Sequence, residues 1–148
     1  MRISAKGRYA LAALVEVARQ TQKRAVVSVV SIAERLGISK IFLEQIALLL
    51  KKGGLLQSTK GAKGGYQLAR EANKISAFHV LSIVENTLLE KTDNTVLEAS
   101  PTTEAALREK VFNPLDKAVE ACLSRITLQE LLEYADLQNN EQAFMLNI

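Results

Sequence analysis

The chain has 148 residues, 48% of them hydrophobic, which is enough for a sizeable core in one or two small domains. Its single cysteine, Cys122, cannot close an intrachain disulfide or build a zinc or iron–sulfur site alone, and no apolar run is long enough to span a bilayer. The net charge of +3 hides a division: residues 1–74 carry 14 Lys/Arg against 4 Asp/Glu, a net of +10, whereas residues 75–148 carry 5 against 12, a net of −7. Such a division suits a polyanion-binding module fused to a part that stays off the polyanion, although ordinary surface charge can also segregate by chance.

The spacing predicts a first helix over residues 4–20. Leu11, Leu14, Val15 and Ala18 fall on one face, and Ser4 is the expected N-cap. Arg2, Lys6 and Arg8 gather at the start of this helix, where free backbone N–H groups would help a phosphate contact; a solvated basic terminus is the plainer alternative. Glu16 and Arg19 interrupt the apolar run too early for a signal peptide, so the segment reads as the first helix of a cytoplasmic protein.

A polar turn covers residues 21–24. Val26 and Val27 can form a short strand that pairs with a later hairpin. Ser31 and Glu34 have capping-box spacing, with Ser28 as a rival cap, and the short helix they open ends at Gly37. Ser39 then caps a helix over residues 40–52. Helix, glycine turn and helix within about twenty residues is the helix-turn-helix pattern.

On the helical wheel Leu43, Ile46, Ala47 and Leu50 share one face, flanked by Phe42 and Leu49. The opposite face carries Lys40, Ile41, Glu44, Gln45, Leu48 and Lys52. Gln45 can pair bidentately with adenine, Glu44 can accept from cytosine, and Ile41 can meet a thymine methyl. An ordinary solvated helix surface would also hold Glu and Gln. The segment after the helix favours the nucleic-acid reading: strand candidates at 55–59 and 66–69 enclose the turn Lys60-Gly61-Ala62-Lys63-Gly64-Gly65. Lys60 and Lys63 suit phosphates or a minor groove, and Gly64 allows close backbone approach. A nucleotide-cradling P-loop is rejected, because no GxxxxGK[ST] run joins a strand to a helix.

The next helix covers residues 75–85 with Ser76 as cap, and in it His79, without a catalytic partner, is structural. Residues 86–100 read as an irregular polar linker whose Val96 and Leu97 dock back on the core. Residues 103–125 form an acidic helix in which Leu107, Val111, Leu115, Ala118 and Cys122 make an apolar seam. The seam suits a partner helix in a dimer or packing within the monomer. Pro114 either kinks this helix or starts a second one capped by Asn113. Cys122, lying on the seam, is expected to be buried. Thr127 and Glu130 form a second capping-box pair, opening a last helix to about residue 137, and residues 139–148 read as a tail. The expected organisation is a DNA-binding domain at 1–84, a linker at 85–102, dimerisation helices at 103–138 and a tail at 139–148. The expected fold is mainly α: a winged helix-turn-helix with a small β-hairpin wing and a long C-terminal dimerisation helix.

Three ordered segments, residues 1–10, Phe42-Leu43-Glu44-Gln45-Ile46 and Lys60-Gly61-Ala62-Lys63-Gly64-Gly65-Tyr66, resemble the Rrf family of winged-helix transcription regulators over nearly the whole chain. The resemblance implies a homodimer on a palindromic double-stranded DNA operator. It implies contacts from Lys6, Arg8, Ser39, Glu44 and Gln45. The wing position that is usually arginine is Lys60 here, which favours a phosphate contact over a bidentate one. Members that bind an iron–sulfur cluster carry three cysteines after the fourth helix, and residues 85–104 contain no Cys or His, so no cofactor and no metal are expected. The cluster-free branch includes a cysteine-metabolism repressor that works through cysteine synthase (O-acetylserine sulfhydrylase), and its ending looks like residues 141–148. Serine acetyltransferase docks on that enzyme by a C-terminal peptide ending in isoleucine. By this likeness Met145, Leu146, Asn147 and Ile148 become candidate partner-binding residues. Two further readings remain open: a redox-responsive regulator using Cys122, and a non-catalytic adaptor. An enzyme is not expected, since no acid, base or nucleophile groups converge.

Overall fold

The computed structural model describes residues 2–22 and 26–147. Helix α1 (Ala5–Thr21) starts at Ser4, whose hydroxyl accepts the Gly7 N–H as an N-cap. Its core stripe is Ala10, Ala13, Leu14, Val17 and Ala18. The expected stripe is therefore rotated: Leu14 and Ala18 are buried, but Leu11 and Val15 are only half-buried at its edge. Small alanines at 10 and 13 let neighbouring elements approach closely, a role that hydrophobic spacing alone ranks below leucine.

Helix α2 (Val29–Leu36) is capped by Ser28, whose hydroxyl accepts the Ser31 N–H, so the cap is the rival residue and not Ser31. Gly37 ends α2 at φ 66°, a left-handed conformation open to glycine at little cost. Helix α3 (Lys40–Lys52) comes next, with Ser39 accepting the Phe42 N–H at 3.3 Å. Its buried residues are Leu43, Ile46, Ala47 and Leu50, the four of the predicted face.

Strands β1 (Leu56–Thr59) and β2 (Gly65–Leu68) pair antiparallel, Leu56 opposite Leu68 and Thr59 opposite Gly65. Val27 joins this hairpin: its N–H donates to the Tyr66 carbonyl at 2.8 Å, and the Tyr66 N–H donates to the Val27 carbonyl at 2.7 Å. The segment ahead of α2 therefore anchors the base of the wing, as the sequence predicts for Val27.

Helix α4 (Ala77–Val84) begins with a capping box in which the Ser76 hydroxyl accepts the His79 N–H and His79 Nδ1 accepts the Ser76 N–H. Residues 86–100 contain no helix or strand, but the side chains that pack on the core are Leu88 and Leu89. Val96 is half-buried and Leu97 is 46% exposed, because the loop is held from its far end by Glu104 instead.

The long C-terminal helical run consists of α5 (Pro101–Leu107), a π-helical turn (Arg108–Phe112) and α6 (Asn113–Arg125). Pro114 neither starts a separate helix nor takes a cap from Asn113. Asn113 is helical itself, and its N–H donates to the Arg108 carbonyl five residues back. The widened turn accommodates the missing proline N–H and the ring.

Helix α7 (Leu128–Leu146) opens with the predicted Thr127–Glu130 capping box. It does not end near 137; it continues to Leu146, so residues 139–146 are helix and not tail. Leu128 and Leu132 are fully buried, and α7 packs on α1. The start of α7 is tied to α4, with the Ala77 N–H donating to the Ile126 carbonyl at 2.8 Å and the Leu128 N–H to the Ile75 carbonyl at 2.9 Å. The last helix thus returns to the core built by residues 1–84 instead of standing with α6. Burying each large aliphatic there contributes about 1.5–3 kcal/mol. Among the described residues no helix is long and apolar enough to cross a membrane.

Candidate nucleic-acid interface

The core fixes one side of α3 and thereby aims the other. With Leu43, Ile46 and Leu50 at most 2% exposed, the helix cannot rotate without pulling an aliphatic residue into water. Lys40, Ile41, Glu44, Gln45, Leu48 and Lys52 are all solvent-exposed, as the wheel predicts. Two contacts hold α3 against its flanks. Tyr9 of α1 meets Phe42 edge-on, with ring centroids 5.7 Å apart, and Lys51 Nζ donates to the Ser58 hydroxyl of β1 at 2.6 Å. Neither Tyr9 nor Lys51 stands out in the sequence: Tyr9 acts through a partner 33 residues away, and Lys51 reaches across the turn that separates α3 from β1. On the outer face Lys40 Nζ lies 3.9 Å from Glu44 Oε1, an i,i+4 pair that partly offsets the Glu44 charge.

The wing turn places Lys60 and Lys63 in solvent. Gly64 is half-buried and its N–H donates to the Gly61 carbonyl at 3.0 Å. A Cβ on Gly64 would collide with the Thr59 carbonyl oxygen, so glycine is required to close the turn. Its requirement is internal to the wing, a simpler reason than close approach to a ligand.

The start of α1 differs from expectation. Arg2 and Arg8 are exposed and Lys6 half-buried, but a carboxylate already occupies part of this helix end. Glu85 Oε1 accepts the Ser4 N–H at 2.9 Å and the Ser4 hydroxyl at 2.8 Å, and it packs where a Cβ on Gly7 would sit. The N–H groups of Ser4 and Gly7 are therefore taken within the protein. The Arg2, Lys6 and Arg8 side chains are the basic groups at this corner.

Behind the helix-turn-helix, Glu16 is a polar hub only 2% exposed. It accepts from Arg19 at 2.6 Å and Gln20 at 2.8 Å and lies 3.3 Å from the Arg35 Nε of α2. Arg19 also donates to Asp136 of α7 at 3.1 Å. The apolar run of α1 gives no sign of this hub beyond the interruption at Glu16.

The remaining predicted residues lie in the acidic half. Leu107 is half-buried, and Val111, Leu115, Ala118 and Cys122 are exposed. Within the single chain Cys122 is an exposed free thiol, so the chain's own packing does not bury it. A wheel identifies an apolar face but not whether it is covered by the same chain. Met145 and Leu146 are helical and 75% and 87% exposed, and Asn147 is the C-cap of α7. Ile148 lies outside the described residues.

Glu104 is 2% exposed, and its Oε2 accepts the N–H groups of Thr95 at 2.9 Å and Val96 at 2.8 Å. Those two bonds, with Arg108 beside them, hold its carboxyl below the ordinary value of 4.5 against the opposing effect of burial. Arg108 donates to the Thr92 carbonyl and to Asn94 Oδ1, so one acid and one base clasp the loop at 92–96 from α5 and the π turn.

The sequence matches, over residues 3–134, the family described as Rrf2, iron-dependent transcriptional regulator. The transcriptional regulator IscR of Yersinia enterocolitica is 35% identical over 147 residues, covering 95% of this chain and 88% of its own. Among solved structures, the global cysteine regulator CymR of B. subtilis superposes with a TM-score of 0.75 at 30% identity, over 90% of this chain and 98% of that one. T. potens IscR gives a TM-score of 0.71 at 35% identity, covering 91% and 88%.

Iron is implied by the family description, and the residues present do not fit it. An iron–sulfur cluster is held by several cysteines, some of them replaceable by histidine, and this chain has one Cys and one His. Cys122 is on α6, and His79 Nδ1 is engaged in the α4 cap. The buried acid of the loop region already serves two backbone amides. The matching relatives are regulators and not enzymes, and the fold is theirs. By profile, by identity and by fold, the chain belongs to the Rrf2 family of DNA-binding transcription regulators.

Proposed function

We propose that the protein acts as a homodimeric repressor that places α3 in the major groove of a palindromic operator and the wing lysines on flanking phosphates. The observation that carries this reading is the geometry of α3. Its core face is fully buried, its N-terminus comes after a left-handed Gly37 turn, and its outer face offers Lys40, Ile41, Glu44 and Gln45 beside a basic hairpin. The apolar stripe Val111, Leu115, Ala118 and Cys122, exposed in the single chain, supports a second copy on α6. Arg2, Lys6, Arg8, Lys60 and Lys63 are the proposed phosphate contacts, and Ser39 joins α3 at the groove edge.

The regulated genes in this reading belong to cysteine and sulfur metabolism, and cysteine synthase is the partner. The likeness to the B. subtilis cysteine regulator and the exposed end of α7 support it. The partner surface is the last helical turn with Met145 and Leu146, continued by Asn147 and Ile148. A mobility-shift titration with DNA upstream of sulfur-metabolism operons, with and without cysteine synthase, tests both parts. Lys60→Ala with Lys63→Ala should reduce the slope of log affinity against log salt by about 2. An unchanged slope would remove the wing from the interface. Deleting the last four residues should abolish the effect of the synthase; undiminished synthase binding by the shortened protein refutes the tail as the docking site.

A second reading is favoured by the exposed thiol. Cys122 sits on the apolar face of α6, and a Staphylococcus aureus CymR, 34% identical, is known in an oxidised form. Oxidation that weakens DNA binding in the wild type but not in Cys122→Ser would support redox control.

A further inference from the structure

The outer face of α3 carries two large aliphatic side chains that its packing does not require. Ile41 is 69% exposed and Leu48 is 50% exposed, whereas Leu43, Ile46 and Leu50 are at most 2% exposed. Phe42 and Leu49 are half-buried against the core, and Tyr9 covers Phe42. Positions 41 and 48 are two helical turns apart and so lie almost in line, with Gln45 between them. The stripe Ile41–Gln45–Leu48 thus runs along the face that the turn and wing present together.

Resting on the DNA-binding reading above, we propose that Ile41 and Leu48 are specificity-determining residues that read the C5-methyl groups of two thymines, with Gln45 between them on an adenine. The C5-methyl of thymine is the one apolar group that unmodified base pairs display in the major groove. An aliphatic side chain aimed there gains by covering a methyl and loses by covering a donor or acceptor. Seven residues of helix span about 10.5 Å, roughly three base steps at about 3.4 Å each. The half-site therefore holds two T·A pairs roughly three steps apart. Glu44, paired with Lys40 on the neighbouring track, leaves this stripe uncharged.

The test uses the full-length protein. Selection from a randomised duplex library should enrich half-sites with thymines at that separation. Replacing each thymine by deoxyuridine removes only the methyl and should weaken wild-type binding about fourfold, the effect of burying one methyl-sized group. Ile41→Ser should become insensitive to the change at one thymine and Leu48→Ser at the other, each keeping its response at the remaining position. Both substitutions are at exposed positions, and matching circular dichroism spectra would establish that the fold is intact. Enriched sites without such thymines, no response to deoxyuridine, or an equal response in both variants would overturn the proposal while leaving DNA binding standing. In those cases a salt-dependent affinity that still responds to Lys60→Ala and Lys63→Ala would show that DNA binding itself survives. No enrichment, with affinity indifferent to those lysines, would overturn the DNA reading and this inference with it.

Discussion

Glu16→Gln removes one charge from the buried hub behind the helix-turn-helix while keeping the shape of the side chain. Glu16 is 2% exposed and engages three donors: Arg19 at 2.6 Å, Gln20 at 2.8 Å and Arg35 at 3.3 Å. Glutamine retains one acceptor oxygen and turns an NH2 group toward a guanidinium. Hydrogen bonds to charged groups contribute about 1.5–3 kcal/mol each. The Arg35 ion pair counts for little, since that side chain is 55% exposed and returns to water. Arg19, at 20% exposure, keeps Asp136 as a partner, which limits the cost of losing Glu16. The expected loss is about 2 kcal/mol, equivalent to a fall in Tm of about 4–8 °C for a chain of this size. Thermal melts monitored by far-UV circular dichroism at pH 7 and fixed protein concentration measure it, because oligomer formation makes Tm concentration-dependent. Arg35→Gln is the control, expected to shift Tm by about 1–2 °C. A Glu16→Gln protein melting within about 1 °C of wild type, or an Arg35→Gln protein as unstable as Glu16→Gln, would refute the assignment of Glu16 as the hub.

Leu132→Ala should cost about 2–5 kcal/mol in urea titrations, because Leu132 is 1% exposed; Leu137→Ala, at 54% exposure, should cost under about 1 kcal/mol. Equal effects would contradict the packing of α7 on α1. For Glu104 the folded-state pKa is depressed by the Val96 and Thr95 N–H groups and by Arg108, so its stabilisation is present above the ordinary value of 4.5 and lost as pH falls through the lower folded value. Wild type should therefore exceed Glu104→Gln in stability by a constant margin at neutral and mildly acidic pH, with the gap closing only below 4.5; a gap already closing near neutrality would disprove the clasp. Gly64→Ala should weaken DNA binding on the order of tenfold with little change in Tm, since the Cβ collides with the wing's own backbone at Thr59, Lys60 and Gly61 and not with the core. An unaltered affinity would show that the wing tolerates the distortion.

Local spacing encodes the part of the fold that was legible in the sequence. The four core residues of α3 come from i, i+3, i+4, i+7, and the Ser4, Ser39, Ser76 and Thr127 caps from residue type and position. Where two local signals compete, as at Ser28 and Ser31, spacing does not choose between them, and the observed cap lies one turn earlier. Glu85 at the start of α1 is 81 residues from Ser4, beyond the reach of any window. The length of α7 is hidden for another reason. Residues 138–143 lack the apolar periodicity that announces a helix, yet the helix continues from its buried start at Leu128 and Leu132 into solvent. Of the candidate interface, the α3 face and the wing lysines were readable. Leu48 was visible on the outer face of the wheel, but only its exposure beside Ile41 marks the two as a pair.

The π-helical turn at Arg108–Phe112 gives this stretch of helix slack in its length. It absorbs one residue beyond ordinary winding between the half that bears Glu104 and the half that bears Leu115 and Cys122. The first points a carboxylate at the loop while the second leaves an apolar face outward. Within the turn Glu109 and Lys110 are exposed and lie off that apolar face. Deleting one of these two residues would restore ordinary helical winding and leave the two halves facing nearly as they do now. The loop clasp and the outward face would both keep their directions. Losing a second residue would rotate one half against the other by about 100°, and the two could not then both be kept.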